Sequence, residues 1–263
     1  MRVTPLEQVE RRRRRVALGQ FDGVHRGHRE VIRGCDTVVT FDPHPQALLS
    51  PDAPPRLLSP LPRKIQLMRA IGVRELVLVR FDAERAAQPP EAFVDEVLVE
   101  RLQAESVSVG ANFRYGHRAA GDVGTLRADG RFELRAGELL RSGGEPISST
   151  RIRALIADGR LAEAAELLGS PVHLRGEIRH PLHDPGFAVD GALLRFPAAS
   201  ALPPQRAYRC SADGERALLT LTTGLGRGGA ETAGWLTGPA VDTGPGVEVA
   251  LDLEPAALAA EAA

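Results

Sequence analysis

Two histidines three residues apart, His25 and His28, close the segment Gly19-Gln-Phe-Asp-Gly-Val-His-Arg-Gly-His28. Such a segment can bind anions and neutralise their charge. Gly19 and Gly23 permit close backbone approach. The exposed amides and dipole of a helix start attract phosphate, and imidazoles at i and i+3 face one side of its first turn. Each charge-assisted hydrogen bond from an imidazolium contributes about 1.5–3 kcal/mol. Nucleotidyl transfer leaves little covalent work for a protein, so positioning and charge neutralisation do most of it. Two histidines near a helix start are, by themselves, more often surface polar residues. The glycine turn and the strand before it shift the balance to phosphate binding. HExxH spacing and a nearby third ligand are missing, so no metal site is assigned.

Three further segments carry polar groups in suggestive patterns. In Ser148-Ser-Thr-Arg-Ile-Arg153, Ser149 or Thr150 can cap a helix. The same geometry offers hydroxyls, amides and the planar fork of Arg153 to a leaving pyrophosphate, although in isolation it is an ordinary capped helix. Gly110-Ala-Asn-Phe-Arg-Tyr-Gly116, with Asn112 inside it and Gly121-Asp122 after it, reads as a turn cluster or as a loop shaped around a base or flavin ring. Thr40-Phe-Asp-Pro-His-Pro45 is stiffened by Pro43 and Pro45. Asp42 or His44 alone would more often be a loop cap than a catalyst.

The elements that position these segments alternate strand and helix. Strands are expected at Val16 to Phe21, Asp36 to Phe41, Glu75 to Phe81, Ser106 to Gly110 and Phe132 to Arg135. Helices are expected at 26–34, at 62–71 through Ile65, Met68 and Ala70, and from Pro89-Pro90 through Phe93, Val97, Leu98 and Leu102. Near-continuous apolar strands separated by helices predict an α/β fold with a parallel sheet covered on both faces. Ligands of such sheets bind at the carboxyl ends of strands, where Gly19 to His28, Asp42 to Pro45 and Gly110 to Asp122 fall. After about residue 170 the chain turns to short runs split by Gly and Pro: 173–178, 191–196, 206–210, 217–222 and 247–253. These predict a second, smaller antiparallel barrel or sandwich, with the boundary between Gly169 and Val172. The Ala-rich segment from Pro255 reads as a frayed tail or short helix.

The bulk properties narrow the setting. The 263 residues are 43% hydrophobic and 25% charged with a net charge of −1, so a core can be buried and no whole-protein field favours nucleic acid or an anionic membrane. Cys35 and Cys210 stand alone, which suits a reducing cytosol. No apolar run approaches membrane length, and the run Arg11 to Arg15 lacks the apolar core of a signal peptide after it. It reads as a solvated arm. The expectation is a cytoplasmic protein acting on small molecules, with no nucleic acid or membrane partner and its oligomeric state left open.

Taken in order, GQFDGVHRGH, TFDPHP, GANFRYGHRAAGD and SSTRIR resemble the N-terminal FMN adenylyltransferase module of the prokaryotic bifunctional riboflavin kinase/FAD synthetase family. HxGH alone marks only the wider nucleotidyltransferase superfamily; the combination is specific, and it spans roughly the first 170 residues. The resemblance implies a Rossmann-like domain at 1–170, Mg²⁺ and ATP as donor complex, and FMN as acceptor, giving FAD and pyrophosphate. It assigns ATP phosphate binding and transition-state stabilisation to His25 and His28, and nucleotide placement to Asn112. It gives Ser149, Thr150 and Arg153 the phosphate segment, Gly19, Phe21, Asp22 and Gly23 the ATP turn, and Asp42, Pro43 and His44 part of the binding loops. The family's riboflavin kinase barrel would be 171–263, but its Pro-Thr-Ala-Asn segment is Pro197-Ala-Ala-Ser200 here. Ala198 offers a metal no oxygen. Glu248 resembles the kinase's general base, yet the expectation is that riboflavin kinase activity is lost. Two other readings stay open: transfer to a modified flavin or other phosphate acceptor, and a catalytically silent flavin-nucleotide binder.

Overall fold

The computed structural model describes residues 1–184, 189–212, 214–223, 232–238 and 248–254. Contacts divide the chain into two compact units, 1–55 with 59–148, and 56–58 with 149–263.

In the first unit the parallel strands are β1 (Arg2–Pro5), β2 (Arg14–Leu18), β3 (Thr37–Asp42), β4 (Glu75–Arg80) and β5 (Ala104–Gly110), and, numbered after two short intervening strands given below, β8 (Glu133–Gly137). They form one sheet in the order β1-β4-β3-β2-β5-β8. Helices α1 (Arg26–Ile32), α2 (Pro45–Leu49), α3 (Leu61–Ala70), α4 (Ala83–Ala87) and α5 (Pro90–Phe93, continued as a π-helix over Val94–Arg101) lie between them. The two-residue strands β6 (Arg114–Tyr115) and β7 (Gly121–Asp122) pair with each other, and α6 (Val123–Asp129) leads to β8.

The alternation along β2 explains why the sheet is covered on both faces. Val16 and Leu18 join one core with Phe93, Val97 and Leu98 of α5. Ala17 points the other way, into a core with Val31 and Ile32 of α1 and Met68 of α3. Fully buried β-branched strands of this kind are the signature of helix-covered parallel sheets. The α/β, Rossmann-like expectation holds, and the sheet has a sixth strand, β1, that the sequence reading did not anticipate.

The arginine run is a correction. It is not a solvated arm: β2 begins at Arg14, whose side chain is fully buried. Arg14 Nε donates to Glu75 Oε2 at 2.9 Å, while its other nitrogens donate to the carbonyls of Arg12 and Glu10. Arg12 adds a second bond to the same carboxylate at 2.7 Å. Burial pushes the Glu75 carboxyl up, but the hydrogen bonds and charges of Arg14 and Arg12 outweigh it and hold the pKa below its ordinary value. The network ties the amino ends of β2 and β4 together, at the edge opposite the predicted ligand rim. Like charges adjacent in sequence misled because only alternate ones face outward.

In the second unit, short β9 (Arg141–Ser142) and β10 (Glu145–Pro146) of the first having closed, α7 (Ser149–Ala157) and α8 (Leu161–Leu168) precede β11 (Val172–Asp184). Strands β11, β12 (Val189–Arg195), β13 (Ala207–Ala212), β14 (Glu215–Thr223), β15 (Thr232–Thr237) and β16 (Glu248–Leu253) close as a barrel in the order β11-β12-β15-β14-β13-β16. The barrel expectation holds, with β15 as an added strand; the tail from Pro255 lies outside the described residues.

Glu75→Ala leaves the Arg14 guanidinium buried without its carboxylate and is expected to cost about 3–5 kcal/mol, measured by urea denaturation at pH 7. Because the Glu75 pKa is lowered, the pair's contribution is present at neutral pH and fades in acid as the carboxylate is protonated. The difference between wild type and variant should shrink there.

Candidate active site

The candidate site is built where the chain changes direction across the sheet. From β2 it steps to β3 on one side, and β5 later returns on the other, so β3, β2 and β5 are neighbours. All three are parallel. Their carboxyl ends therefore share one rim, and three of the four motifs leave from those ends. A strand-order reversal of this kind opens a crevice outside the carboxyl ends.

The turn after β2 is strained and locked. Gly19 N–H donates to the Val39 carbonyl of β3 at 3.1 Å, and a Cβ on Gly19 would press on the Phe21 ring at 3.1 Å. Phe21 and Val24 sit at φ of 52° and 42°, and Gly23 at 85°. Left-handed backbone at a bulky or β-branched residue costs of order 1–3 kcal/mol and persists only where its surroundings over-determine it. Here they do. The Phe21 and Val24 side chains are buried in the core beneath α1 and α3. Asp22, 2% exposed, accepts from both the backbone N–H and the hydroxyl of Ser59, at 2.9 and 3.2 Å. The Ser59 hydroxyl in turn accepts the Gly23 N–H at 2.7 Å. Asp22 is thus a structural carboxylate that fixes the turn.

His25 is buried and caps α1: its Nδ1 accepts the N–H of His28 at 3.2 Å. That bond assigns the ring proton of neutral His25 to Nε2. The two imidazoles stack, with centroids 3.5 Å apart, and Phe21 meets His28 edge-on at 5.3 Å. Among the described residues the buried Nδ1 of His28 has no hydrogen-bond partner. Burial first, then the charges of His25 and Lys64, hold the His28 pKa well below the ordinary histidine value. His28 is therefore a neutral ring near pH 7 in the free protein. An approaching polyanion would raise its pKa and draw a proton onto it.

At the end of β3, Asp42, Pro43 and His44 are at the surface, and the Asp42–Pro43 peptide is cis. His44 caps α2, its Nδ1 accepting from Gln46 N–H at 3.2 Å. At the end of β5, Asn112 is exposed, its Oδ1 close over Gly110. A cavity of about 550 Å³ lies between these two loops, lined by Phe41 and Pro45 on one side and by Phe81, Phe93, Arg114 and Tyr115 on the others. Part of its wall is aromatic: Phe41 packs on Phe81 and Phe93, and Tyr115 on Phe93, while Leu48, Leu49 and the alanines of α4 line other parts. The strands thus bring together His25, His28, Asn112, Gly19 to Gly23 and Asp42 to His44 in one unit. Ser149, Thr150 and Arg153 lie in the other unit, in the first turns of α7. Arg153 Nε donates there to the Arg56 carbonyl at 2.6 Å. Among the described residues no group of three His, Cys, Asp or Glu is placed to hold a metal, and no helix is long and apolar enough to cross a membrane.

Two residues of this site escaped the sequence reading. Ser59 looks like loop filler before a helix, and Lys64 like one more polar residue of an amphipathic helix. Lys64 is only 5% exposed, and its ammonium donates to the Gln20 carbonyl at 2.7 Å. The one available signal was a cation in the first turn of α3, where the helix dipole disfavours it.

Ser59→Ala removes the acceptor of the Gly23 N–H and one of the Asp22 donors. It is expected to cost about 1–3 kcal/mol in thermal or urea unfolding, with Ser59→Thr closer to wild type.

The model of the FAD synthetase family matches residues 7–151, more than half of the 263-residue chain. The bifunctional riboflavin kinase/FMN adenylyltransferase of Listeria monocytogenes is 40% identical over 178 residues, covering 63% of this chain and 56% of the relative. Its counterpart in Escherichia coli K12 is 34% identical over 178 residues, covering 63% and 57%. That of Bacillus subtilis is 31% identical over 218 residues, covering 75% and 67%. The matched stretch is thus little more than half the length of the first two relatives. A crystal structure of a Streptococcus pneumoniae protein described as a macrolide-efflux protein superposes with a TM-score of 0.80, covering 96% of this chain and 90% of that one. At 21% identity it speaks to the fold alone. With the family model running from before β2 to the start of α7, across the whole strand rim and its three motifs, the chain belongs to the FAD synthetase family.

Proposed function

We propose that the chain is an FMN adenylyltransferase, transferring AMP from MgATP to FMN. A phosphate oxygen of FMN attacks the α-phosphorus of ATP, the bond from that phosphorus to the bridging oxygen breaks, and pyrophosphate leaves. No covalent enzyme intermediate and no redox change is involved. The observation that supports the reading is the shared rim of β3, β2 and β5, from which both the locked glycine turn and one wall of the cavity of about 550 Å³ leave.

In this proposal the backbone of Gly19 to Gly23 accepts the ATP phosphates, with Phe21 and Asp22 holding its shape. His25 and His28 donate from Nε2 to phosphate oxygens, and their hydrogen bonds strengthen as charge builds up in the transition state. Asn112 helps place the nucleotide, and the loop of Asp42, Pro43 and His44 borders the flavin, whose ring stacks among Phe41, Phe93 and Tyr115. Ser149, Thr150 and Arg153 are assigned to the leaving pyrophosphate. Mg²⁺ enters as part of the MgATP substrate, whose phosphate oxygens and waters supply most of its ligands, and no step is routed through a protein-bound ion.

The barrel is proposed to lack riboflavin kinase activity. Ala198 has no side-chain oxygen, the Ser200 side chain is buried, and the Glu248 carboxylate is paired with Arg175. A cytoplasmic enzyme that takes FMN made elsewhere fits this set. The same rim could serve a modified flavin phosphate, which a panel of acceptors would reveal.

Purified protein given FMN, ATP and Mg²⁺ should release FAD and pyrophosphate in equal amounts. His28→Ala should lower kcat about 10²–10³-fold. Riboflavin and ATP should yield no FMN. Absence of FAD above the His28→Ala background would refute the transfer, and clear FMN formation would refute the loss of the kinase.

A further inference from the structure

Lys64 stands behind the phosphate turn in a way that stability alone does not explain. Its side chain projects from the first turn of α3, where the helix dipole opposes a cation, and burying an ammonium carries a desolvation cost that a methionine or leucine would not. Its two hydrogen bonds go to the Gln20 carbonyl at 2.7 Å and the Thr40 hydroxyl at 3.4 Å. Thr40 Oγ1 also donates to the Gln20 carbonyl, at 3.0 Å. One carbonyl oxygen of the turn is therefore held by donors from two elements, α3 and β3.

That carbonyl controls the next amide. In a trans peptide the C=O and N–H point in opposite directions, so drawing the Gln20 oxygen inward aims the Phe21 N–H away from Lys64. Phe21 is the residue at φ 52°. Among the described residues its N–H meets no acceptor. A strained, unpaired amide at the centre of a phosphate turn is what an anion site requires, and it would relax without an anchor behind it.

We propose that Lys64 is a positioning residue: through the Gln20 carbonyl and the Thr40 hydroxyl, its buried ammonium holds the peptide between Gln20 and Phe21 so that the Phe21 N–H is presented to the nucleotide's phosphates. The catalytic part of this claim rests on the adenylyltransfer reading; the orientation of the peptide does not. The groups facing Lys64 are Asp22 on the turn, Asp42 at the end of β3 and His28 on α1. Burial lowers the Lys64 pKa to about 8, against the opposing pull of Asp22 and Asp42. The clamp is thus charged below about pH 8 and weakens as pH rises through that value, because a neutral amine donates a weaker hydrogen bond.

The test has two arms. In the free wild-type protein, the Phe21 amide resonance should titrate with a midpoint near pH 8, and it should lose that titration in Lys64→Met. This arm needs no turnover. In the second, kcat and KM for MgATP are followed from pH 6.5 to 9.5. Wild type should lose turnover above about pH 8. Lys64→Met should have kcat lowered about 10–100-fold at pH 7 and no such basic limb. Lys64→Arg, charged throughout, should recover part of kcat and keep it to pH 9. A Phe21 resonance flat between pH 7 and 9.5 in the wild type would overturn the clamp, whether or not Lys64→Met folds. A kcat for folded Lys64→Met within twofold of wild type would overturn its role in turnover. Absence of FAD from the wild type would instead count against the proposed function and leave the resonance to decide the clamp.

Discussion

A buried carboxylate, Asp22, holds the rest of the rim in place. Asp22 accepts two hydrogen bonds from Ser59, and Ser59 accepts one from Gly23. The segment that leads into α3 is thereby fastened to the turn that leads into α1. Once that is fixed, Phe21 and Val24 can be held at positive φ with their side chains in the core, and His25 arrives at the position that caps α1. The stacking of His28 on His25 follows from the same placement. The left-handed conformations of Phe21 and Val24 cost energy alone. They persist because the surrounding contacts leave the backbone no better arrangement.

The same logic applies to charge. At the amino edge of the sheet, Arg14 and Glu75 are buried as a pair that satisfies both partners. At the carboxyl rim, Lys64 is buried against a carbonyl and a hydroxyl, while His28 is kept neutral with one nitrogen unpaired. One edge of the sheet is electrostatically closed and the other is left open to an anion. Perturbed groups gathered in a cleft at a strand-order reversal are the physical mark of a functional site.

Much of this was legible in the sequence where the information is local. Glycine turns, prolines and apolar runs placed His25, His28, Asp42, His44 and Asn112 at strand ends, and the parallel sheet follows from strands hydrophobic on both faces. What stayed hidden depends on partners far away in the chain. Arg14 looks like its exposed neighbours until Glu75, sixty-one residues later, is beside it. Lys64 belongs to no motif, since it acts on a backbone carbonyl whose owner could be any residue. Ser59 is read by its partner Asp22, thirty-seven residues earlier. Strands β1 and β15 escaped for a related reason: edge pairing and barrel closure are set by tertiary context more than by local propensity.

The central claim is that the AMP half of ATP is moved onto the phosphate of a flavin. ATP labelled at the α-phosphate, incubated with the full chain, FMN and Mg²⁺, tests it directly. The account predicts that the label appears in FAD, mole for mole with FMN consumed, while label placed at the γ-phosphate appears in pyrophosphate. Label that remains in ATP or AMP while FMN is unchanged would contradict it.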